Sequence, residues 1–291
     1  MKIVIYGNEY QEKHLNKLAK LFSALSSLNI WVGVEKSFYD YLSLNFPVAP
    51  YVDYVIDKDS EIEDANLALS IGGDGTFLRT AESIAYREIP ILGINTGHLG
   101  YLADMSVNDM SSIIEDIIDN KYKIENRTLL EITTDAGIPI EQPFALNEVS
   151  IMKQDTSSMI SIETSVNGTY LTTYLGDGLI ISTPTGSTAY NLSVGGPILE
   201  PTSNNWVISP IAAHSLTMRP LVLSDDCIIT IKTKSRVSSY RVSIDGRPYS
   251  LAEGTTIALK KAPFYVKVVH RLNHNFAETL RSKLMWGTDK R

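Results

Sequence analysis

Cysteine is almost missing from this chain: Cys227 stands alone among 291 residues. A single thiol excludes an internal disulfide and fits a reducing compartment, which we read as the cytoplasm. Cys227 lies in an apolar, strand-like run, so its expected role is core packing. Histidine is scarce too, and no group of histidines shows metal-ligand spacing. His98 and His214 read as lone, hydrogen-bonded residues. Positive charge is in deficit, with 26 Lys and Arg against 33 Asp and Glu, a net −7. That balance argues against a nucleic-acid partner, which needs a basic face. It also means that no long-range field draws an anionic ligand in. No apolar run has membrane-spanning length, no basic amphipathic helix or anchor is seen, and the opening strand-like residues do not form a leader. Low-complexity tracts and fixed-period repeats are absent as well.

What is present is enough apolar residue, 44%, for a sizeable core, in a length that suits about two domains. The first 122 residues alternate short apolar runs with helical periodicity. Strands are expected at 2–6, 30–34, 51–56, 65–71 and 89–94. Helices are expected at 11–28, 38–44, 76–87 and 107–120, the last with Ile113, Ile114, Ile117 and Ile118 as its apolar stripe. Such alternation implies a mostly parallel sheet covered on both faces. From residue 123 to 272 the pattern changes to strands and turns. Asn167-Gly168 and Asp245-Gly246 fall between alternating runs, a strong hairpin signal. Residues 275–286 turn helical again, with Phe276, Leu280 and Leu284 on one face. The expected architecture is therefore an α/β domain at 1–122, a β-rich domain at 123–272, and a helix within 273–291 that packs back on the first domain.

The stretch Leu69-Ser70-Ile71-Gly72-Gly73-Asp74-Gly75-Thr76-Phe77-Leu78 runs from a buried strand through a glycine-rich turn into a helix. Glycines permit a tight turn and close approach of a ligand. Backbone amides beside a helix N-terminus make a seat for phosphate, here Gly72, Gly73, Gly75 and Thr76. Asp74 is out of place in such a seat unless it holds a metal or takes a proton. The same residues also read as an Asp-Gly turn with Thr76 capping the helix. Ligands of open parallel sheets bind outside the carboxyl ends of strands, where this turn and Asn95-Thr96-Gly97-His98-Leu99-Gly100 both fall.

Two further stretches carry polar groups. Asn147 and Glu148 interrupt an apolar strand. Buried there they need partners: an amide suits an adenine edge and a carboxylate suits ribose hydroxyls. At a strand end they would only face solvent. Downstream, Gly176-Asp177-Gly178 opens a buried strand that runs into Thr183-Pro184-Thr185-Gly186-Ser187-Thr188-Ala189-Tyr190. This loop is rich in small hydroxyls that can bond sugar and base atoms while leaving room for a flat ring. It also reads as a turn leading into a short helix.

Taken in order, these motifs resemble the ATP-dependent NAD kinase family, over nearly the whole chain and including the tail Lys283-Leu284-Met285-Trp286. The glycine–aspartate turn alone is shared with lipid kinases and phosphofructokinases. The resemblance implies an active site between two domains and transfer of the γ-phosphoryl of ATP to the 2′-hydroxyl of the adenosine ribose of NAD. It implies Asp74 as proton acceptor and NAD ligand, with Gly75 beside the substrate. Asn147 and Glu148 would bind the adenosine of NAD, and Asp177 its nicotinamide side. Thr188, Ala189, Tyr190, Asn191, Leu192 and Ser193 would line adenine and ribose. Arg79, Thr185, Ala212 and Arg247 fall at family contact positions. Mg²⁺ is implied on the ATP phosphates with few protein ligands, so no metal residues are named. A homo-oligomer, dimer or tetramer, is implied too. Leu175, before Gly176, leaves the choice between NAD and NADH open, and the phosphoryl donor is open between ATP and polyphosphate. A diacylglycerol-type lipid kinase and a non-catalytic dinucleotide sensor are the competing readings.

Overall fold

The computed structural model describes residues 1–9, 11–57, 62, 64–97, 100–137, 140–154 and 158–287. His98 and Leu99, and most of the acidic stretch after Asp57, lie outside them. The chain divides into two compact units, residues 1–126 with 266–291, and residues 127–265.

In chain order the first unit has strand β1 (Lys2–Gly7), helix α1 (Leu15–Ser27), β2 (Trp31–Glu35), α2 (Lys36–Asn45), β3 (Tyr54–Ile56), β4 (Leu67–Gly72), α3 (Asp74–Ile84), β5 (Ile91–Asn95), β6 (Met105–Ser106) and α4 (Met110–Ile118). Strand β7 (Tyr122–Thr134) begins in this unit and continues into the second. There follow β8 (Phe144–Ala145), β9 (Glu148–Met152), β10 (Ile160–Val166), β11 (Thr169–Gly176), β12 (Gly178–Ser182), the short helix α5 (Tyr190–Ser193), β13 (Asn205–Ile211), β14 (Leu221–Ser224), β15 (Ile229–Lys234), β16 (Ser239–Ile244) and β17 (Arg247–Ala252). Strand β18 (Thr256–Arg271) leads back, and α6 (Phe276–Leu284) closes the chain in the first unit.

The first unit is the parallel sheet the alternation implied. Strand order is β3-β2-β1-β4-β5, all parallel, with β6 and the end of β18 both pairing beyond β5. Strand β4 is buried at every residue, as a strand covered on both faces must be. Helix α4 buries Met110, Ile113, Ile114 and Ile117, each aliphatic chain contributing roughly 1.5–3 kcal/mol. Ile118, placed on that stripe from periodicity, is instead 42% exposed, because the helix stops there and a last residue has no following turn to pack with. The gap after β4 is short. Gly72 pairs with Asn95 in register, so the glycine–aspartate turn and the loop after Asn95 leave the sheet side by side.

The second unit is antiparallel. One sheet runs β11-β10-β15-β18, with β7 pairing to β18 and β8; the other runs β14-β13-β12-β9-β16-β17. Inward residues of both meet in one core, for example Ile162, Ile229 and Ile257 with Ile151, Leu179 and Trp206. Cys227 is buried. Both hairpin signals are realised: Asn167-Gly168 and Asp245-Gly246 have positive φ at both positions, the twist-matched turn that joins β10 to β11 and β16 to β17.

Candidate active site

Helix α3 begins at Asp74, with Gly73 as its N-cap. Thr76 therefore lies inside the first turn and does not cap the helix. The amides of Thr76 and Phe77 bond to the Gly73 oxygen, which puts the Asp74 and Gly75 amides at the helix mouth. No heavy atom lies within 4 Å of where a Cβ would stand at Gly73 or Gly75, so the turn is open on that side.

The Asp74 carboxylate is held by main chain. Its Oδ2 accepts from the Tyr101 amide at 2.6 Å, and its Oδ1 from the Leu102 and Ala103 amides at 2.9 and 3.2 Å. A carboxylate has about four lone-pair positions, so Oδ2 retains room for an incoming hydroxyl. The cage needs a glycine: a Cβ on Gly100 would collide with Asp74 Oδ1.

A cleft of about 390 Å³ lies at the carboxyl ends of β1 and β2, lined among others by Tyr6, Glu35, Thr76, Arg79 and Thr80. Burial above all pushes the Tyr6 phenol up to about 12, so it lines the cleft as a neutral hydroxyl. Of the residues lining this cleft, the exposed Arg79 favours an anion, while Glu9 and Glu35 oppose one.

The second unit has its own polar centre. Asn147 lies in a break between β8 and β9, and Glu148 is the first residue of β9, so the pair stands at a strand start and not inside one continuous strand. The break exists because the backbone amides there turn to another partner. Asp245, at the β16–β17 turn, accepts from the amides of Leu146, Asn147 and Glu148 at 2.6, 2.8 and 3.0 Å. From the other side, the Thr183 amide and hydroxyl bond to the Asn147 and Leu146 oxygens. Gly186 packs so closely that a Cβ would collide with the Asn147 backbone. The Glu148 side chain is thus fixed at its root, while its Oε2 is buried without a hydrogen-bond partner among the described residues. Burial first, and then the Asp245 charge, push the Glu148 carboxyl up to about 7, against a hydrogen bond from the Tyr190 amide. Desolvation also raises Asp245, opposed by the three amides and by Arg247. A buried carboxyl with a spare oxygen is built to receive a donor such as a ribose hydroxyl.

The other sequence-selected residues fall as follows. Asp177 pairs with Lys153 at 2.6 Å. Thr185 is buried with its hydroxyl unpartnered among the described residues, and the Thr188 hydroxyl bonds to the Thr185 oxygen. Tyr190 and Ser193 are exposed, with Ala189 and Leu192 half-buried. Asn191 differs from the rest: its side chain is fully buried and bonds the Ser187 and Pro197 oxygens and the Ser209 hydroxyl. It ties the loop together and presents no free group. Arg247 donates to the Ile244 and Phe144 oxygens, which pins the turn carrying Asp245. Ala212 holds a left-handed backbone, φ 47°, on an exposed segment that also carries His214.

Sequence reading missed two features. Asp245 was visible only as a turn residue, since nothing local shows that its carboxylate spans about a hundred positions to reach residues 146–148. The second is a histidine cluster. Asp104, His270 and His274 bring three ligand-type atoms within 4.8 Å, although no such cluster was expected. Both Nδ1 atoms lie on one Asp104 oxygen, at 3.2 and 2.8 Å, and the rings stack 4.0 Å apart at 13°. Burial raises the Asp104 carboxyl, but the two histidines and Lys283 outweigh it and hold it well below the usual range.

Comparison with known proteins agrees with both units. A model described as the ATP-NAD kinase N-terminal domain matches residues 3–122, and one described as the ATP-NAD kinase C-terminal domain matches residues 146–271. A Bacteroides fragilis NAD kinase is 46% identical over 291 residues, covering all of both chains. Among solved structures, a yeast NADH kinase complexed with NADH superposes with TM-score 0.89 at 24% identity over 100% of this chain and 89% of that one. An Archaeoglobus fulgidus NAD kinase in complex with ATP gives 0.73 at 24% identity, over 97% and 99%. These two show a shared fold. A lipid kinase that shares only the glycine–aspartate turn does not account for the match through the second unit. From the cage around Asp74 to the Asn147–Glu148 break, the chain belongs to the ATP-dependent NAD kinase family.

Proposed function

We propose that the protein transfers the γ-phosphoryl group of ATP to the 2′-hydroxyl of the adenosine ribose of NAD, giving NADP, with Asp74 as the proton acceptor. One observation carries the assignment. A carboxylate fixed by three successive amides, with Oδ2 partly open, stands at the first residue of a helix whose mouth offers further amides. Phosphoryl transfer has a loose transition state, so alignment and charge neutralisation matter more than a strong base. The polyphosphate of ATP is assigned to the Gly73–Gly75 turn and the neighbouring cleft with Arg79. A hard divalent cation fits an oxygen donor set of this kind; Mg²⁺ carried on the ATP phosphates would supply the positive charge that an acidic protein lacks.

In the second unit, Glu148 is assigned to the ribose hydroxyls and Asn147 to the adenine edge. Asp177, Thr185, Thr188, Ala189, Tyr190, Leu192 and Ser193 form the surrounding contacts, with Ala212 at the rim. Asn191 and Arg247 act by holding the loop and the turn. Exposed Tyr170, Leu171 and Leu175 on the edge strand β11 support assembly as a homo-oligomer, a dimer or tetramer, which light scattering tests. Among the described residues no helix is long and apolar enough to cross a membrane; a cytoplasmic site of action belongs to the same reading.

The test is incubation of the protein with ATP, Mg²⁺ and NAD, followed by assay for NADP, for wild type and Asp74→Asn. NADP from wild type and its loss in the variant is the expected result. NAD binding without product in wild type would favour a sensor. Parallel reactions with NADH and with polyphosphate fix substrate and donor.

A further inference from the structure

The amides that hold Asp74 belong to a segment that is itself held. Lys283, on α6, donates from Nζ to the Gly100 oxygen and to the Ala103 oxygen, the latter at 3.2 Å. The Gly100 carbonyl and the Tyr101 amide are two ends of one peptide group. That group therefore carries an ammonium on its oxygen and the Asp74 carboxylate on its hydrogen. A charged donor on the carbonyl polarises the peptide and strengthens its N–H as a donor, and that N–H is the one that meets Asp74 Oδ2.

The grip on Lys283 is set by the cluster beside it. Asp104 follows the segment directly, and its Oδ1 lies 3.7 Å from Lys283 Nζ. Its Oδ2 takes His270 and His274, and His270 Nε2 faces Glu125 at 3.5 Å. Lys123 adds a bond to the His274 oxygen. The residues on either side of Asp74's amide donors are thus tied to the end of β18 and to α6, within the first unit.

We infer that Lys283 is a positioning residue for catalysis, acting on Asp74 through the Gly100–Tyr101 peptide, with the Asp104–His270–His274 cluster fixing its place. The inference rests on Asp74 being the proton acceptor. It assigns to the C-terminal helix a part in the chemical step, in a residue that touches Asp74 only through the main chain.

Steady-state kinetics of full-length Lys283→Met and Lys283→Arg, alone and combined with Asp74→Asn, test it. Lys283→Met is expected to lower kcat by about 10²-fold, the scale of a small misplacement of a reacting group, with KM for NAD and for ATP unchanged within about twofold. Lys283→Arg, which keeps charge and donors, should recover most of kcat. In the Asp74→Asn background the Lys283→Met change should alter the residual rate less than about threefold, since the group it positions is gone. Unchanged kcat in Lys283→Met, or an equal loss in both backgrounds, overturns the inference. A fully active Asp74→Asn enzyme would instead overturn the reading of Asp74. Should Lys283→Met not fold, Lys283→Gln, which keeps a neutral donor, is measured in the same way against the same two outcomes.

Discussion

Asp74 collects the amides of residues 101, 102 and 103, and Asp245 collects those of residues 146, 147 and 148, each starting at 2.6 Å. The two cages, one in each unit, are nearly the same piece of chemistry. Their surroundings differ. Asp74 begins a helix, is half-exposed, and has the Lys283 ammonium behind the peptide it faces. Asp245 sits in a left-handed turn, is raised by desolvation, and has a second carboxyl, Glu148, beside it. Under the proposed assignment, the amides of the first cage hold the reacting carboxylate, whereas in the second the amides are what is being placed and the carboxylate orients Glu148 and Asn147. The same local grip would then serve a reacting group in one unit and a scaffold in the other.

Substitution at the two aspartates separates these roles. Asp74→Asn keeps an oxygen for the Leu102 and Ala103 amides, sets its NH2 against the Tyr101 amide, and loses the base. It should lower kcat by about 10²–10⁴, with a smaller loss of urea-unfolding stability than Asp245→Ala. Asp245→Ala strands three amides that water reaches poorly and puts alanine in a left-handed backbone. It should cost about 3 kcal/mol in urea unfolding and raise the dissociation constant for NAD at least about tenfold by calorimetry. If Asp74→Asn were as destabilising as Asp245→Ala, or Asp245→Ala bound NAD normally, the division of roles would collapse.

The parallel sheet, the β-rich second unit and both hairpins were legible because period, turn residues and strand length are local properties. Asp74 and the Asn147–Glu148 pair stand out as candidates in the same local way, since their residue types are out of place in their runs. What could not be read were the partners. Asp245 acts on residues nearly a hundred positions earlier, and its own neighbourhood announces only a turn. Asp104, His270, His274 and Lys283 are brought together by the end of β18 and by α6, and spacing along the chain does not reveal it. Asn191 was legible as part of a polar loop, but whether its amide faces a ligand or the loop's own carbonyls depends on packing. The alternative reading of Thr76 as a cap fails because the helix already starts at Asp74, with Gly73 as its N-cap.

A smaller effect tests how the second cage is supported from the opposite side. Gly186→Ala places a methyl against the Asn147 backbone, an atom group that cannot swing away. Overpacking of this kind costs about 2 kcal/mol. The displaced residue is the one assigned to the adenine edge, so thermal unfolding and NAD affinity should both fall. Binding of ATP alone, which the first unit's turn is assigned to hold, should not change. A loss of ATP binding equal to that of NAD would mean the two units do not divide the substrates as proposed.

The finest contrast lies in the charge of Glu148. Folding raises its carboxyl from the ordinary 4.5 to about 7, and Asp245 shifts in the same direction. The folded state therefore holds this proton more tightly than the unfolded chain does. The stability it contributes is fully present below about pH 4.5 and is lost as pH rises through about 7. Glu148→Gln removes the titration. The variant should match wild type near pH 5 and exceed it at pH 8 by on the order of 1 kcal/mol, the full linkage being reduced by partial exposure and by coupling to Asp245. Binding runs the other way. A ribose hydroxyl donating to Glu148 favours its ionised form, so wild-type affinity for NAD should strengthen from pH 6 to pH 8, while Glu148→Gln stays weaker and flat. Parallel pH slopes for the two proteins would show that the Glu148 carboxyl meets water rather than substrate, and the second cage would then orient only Asn147.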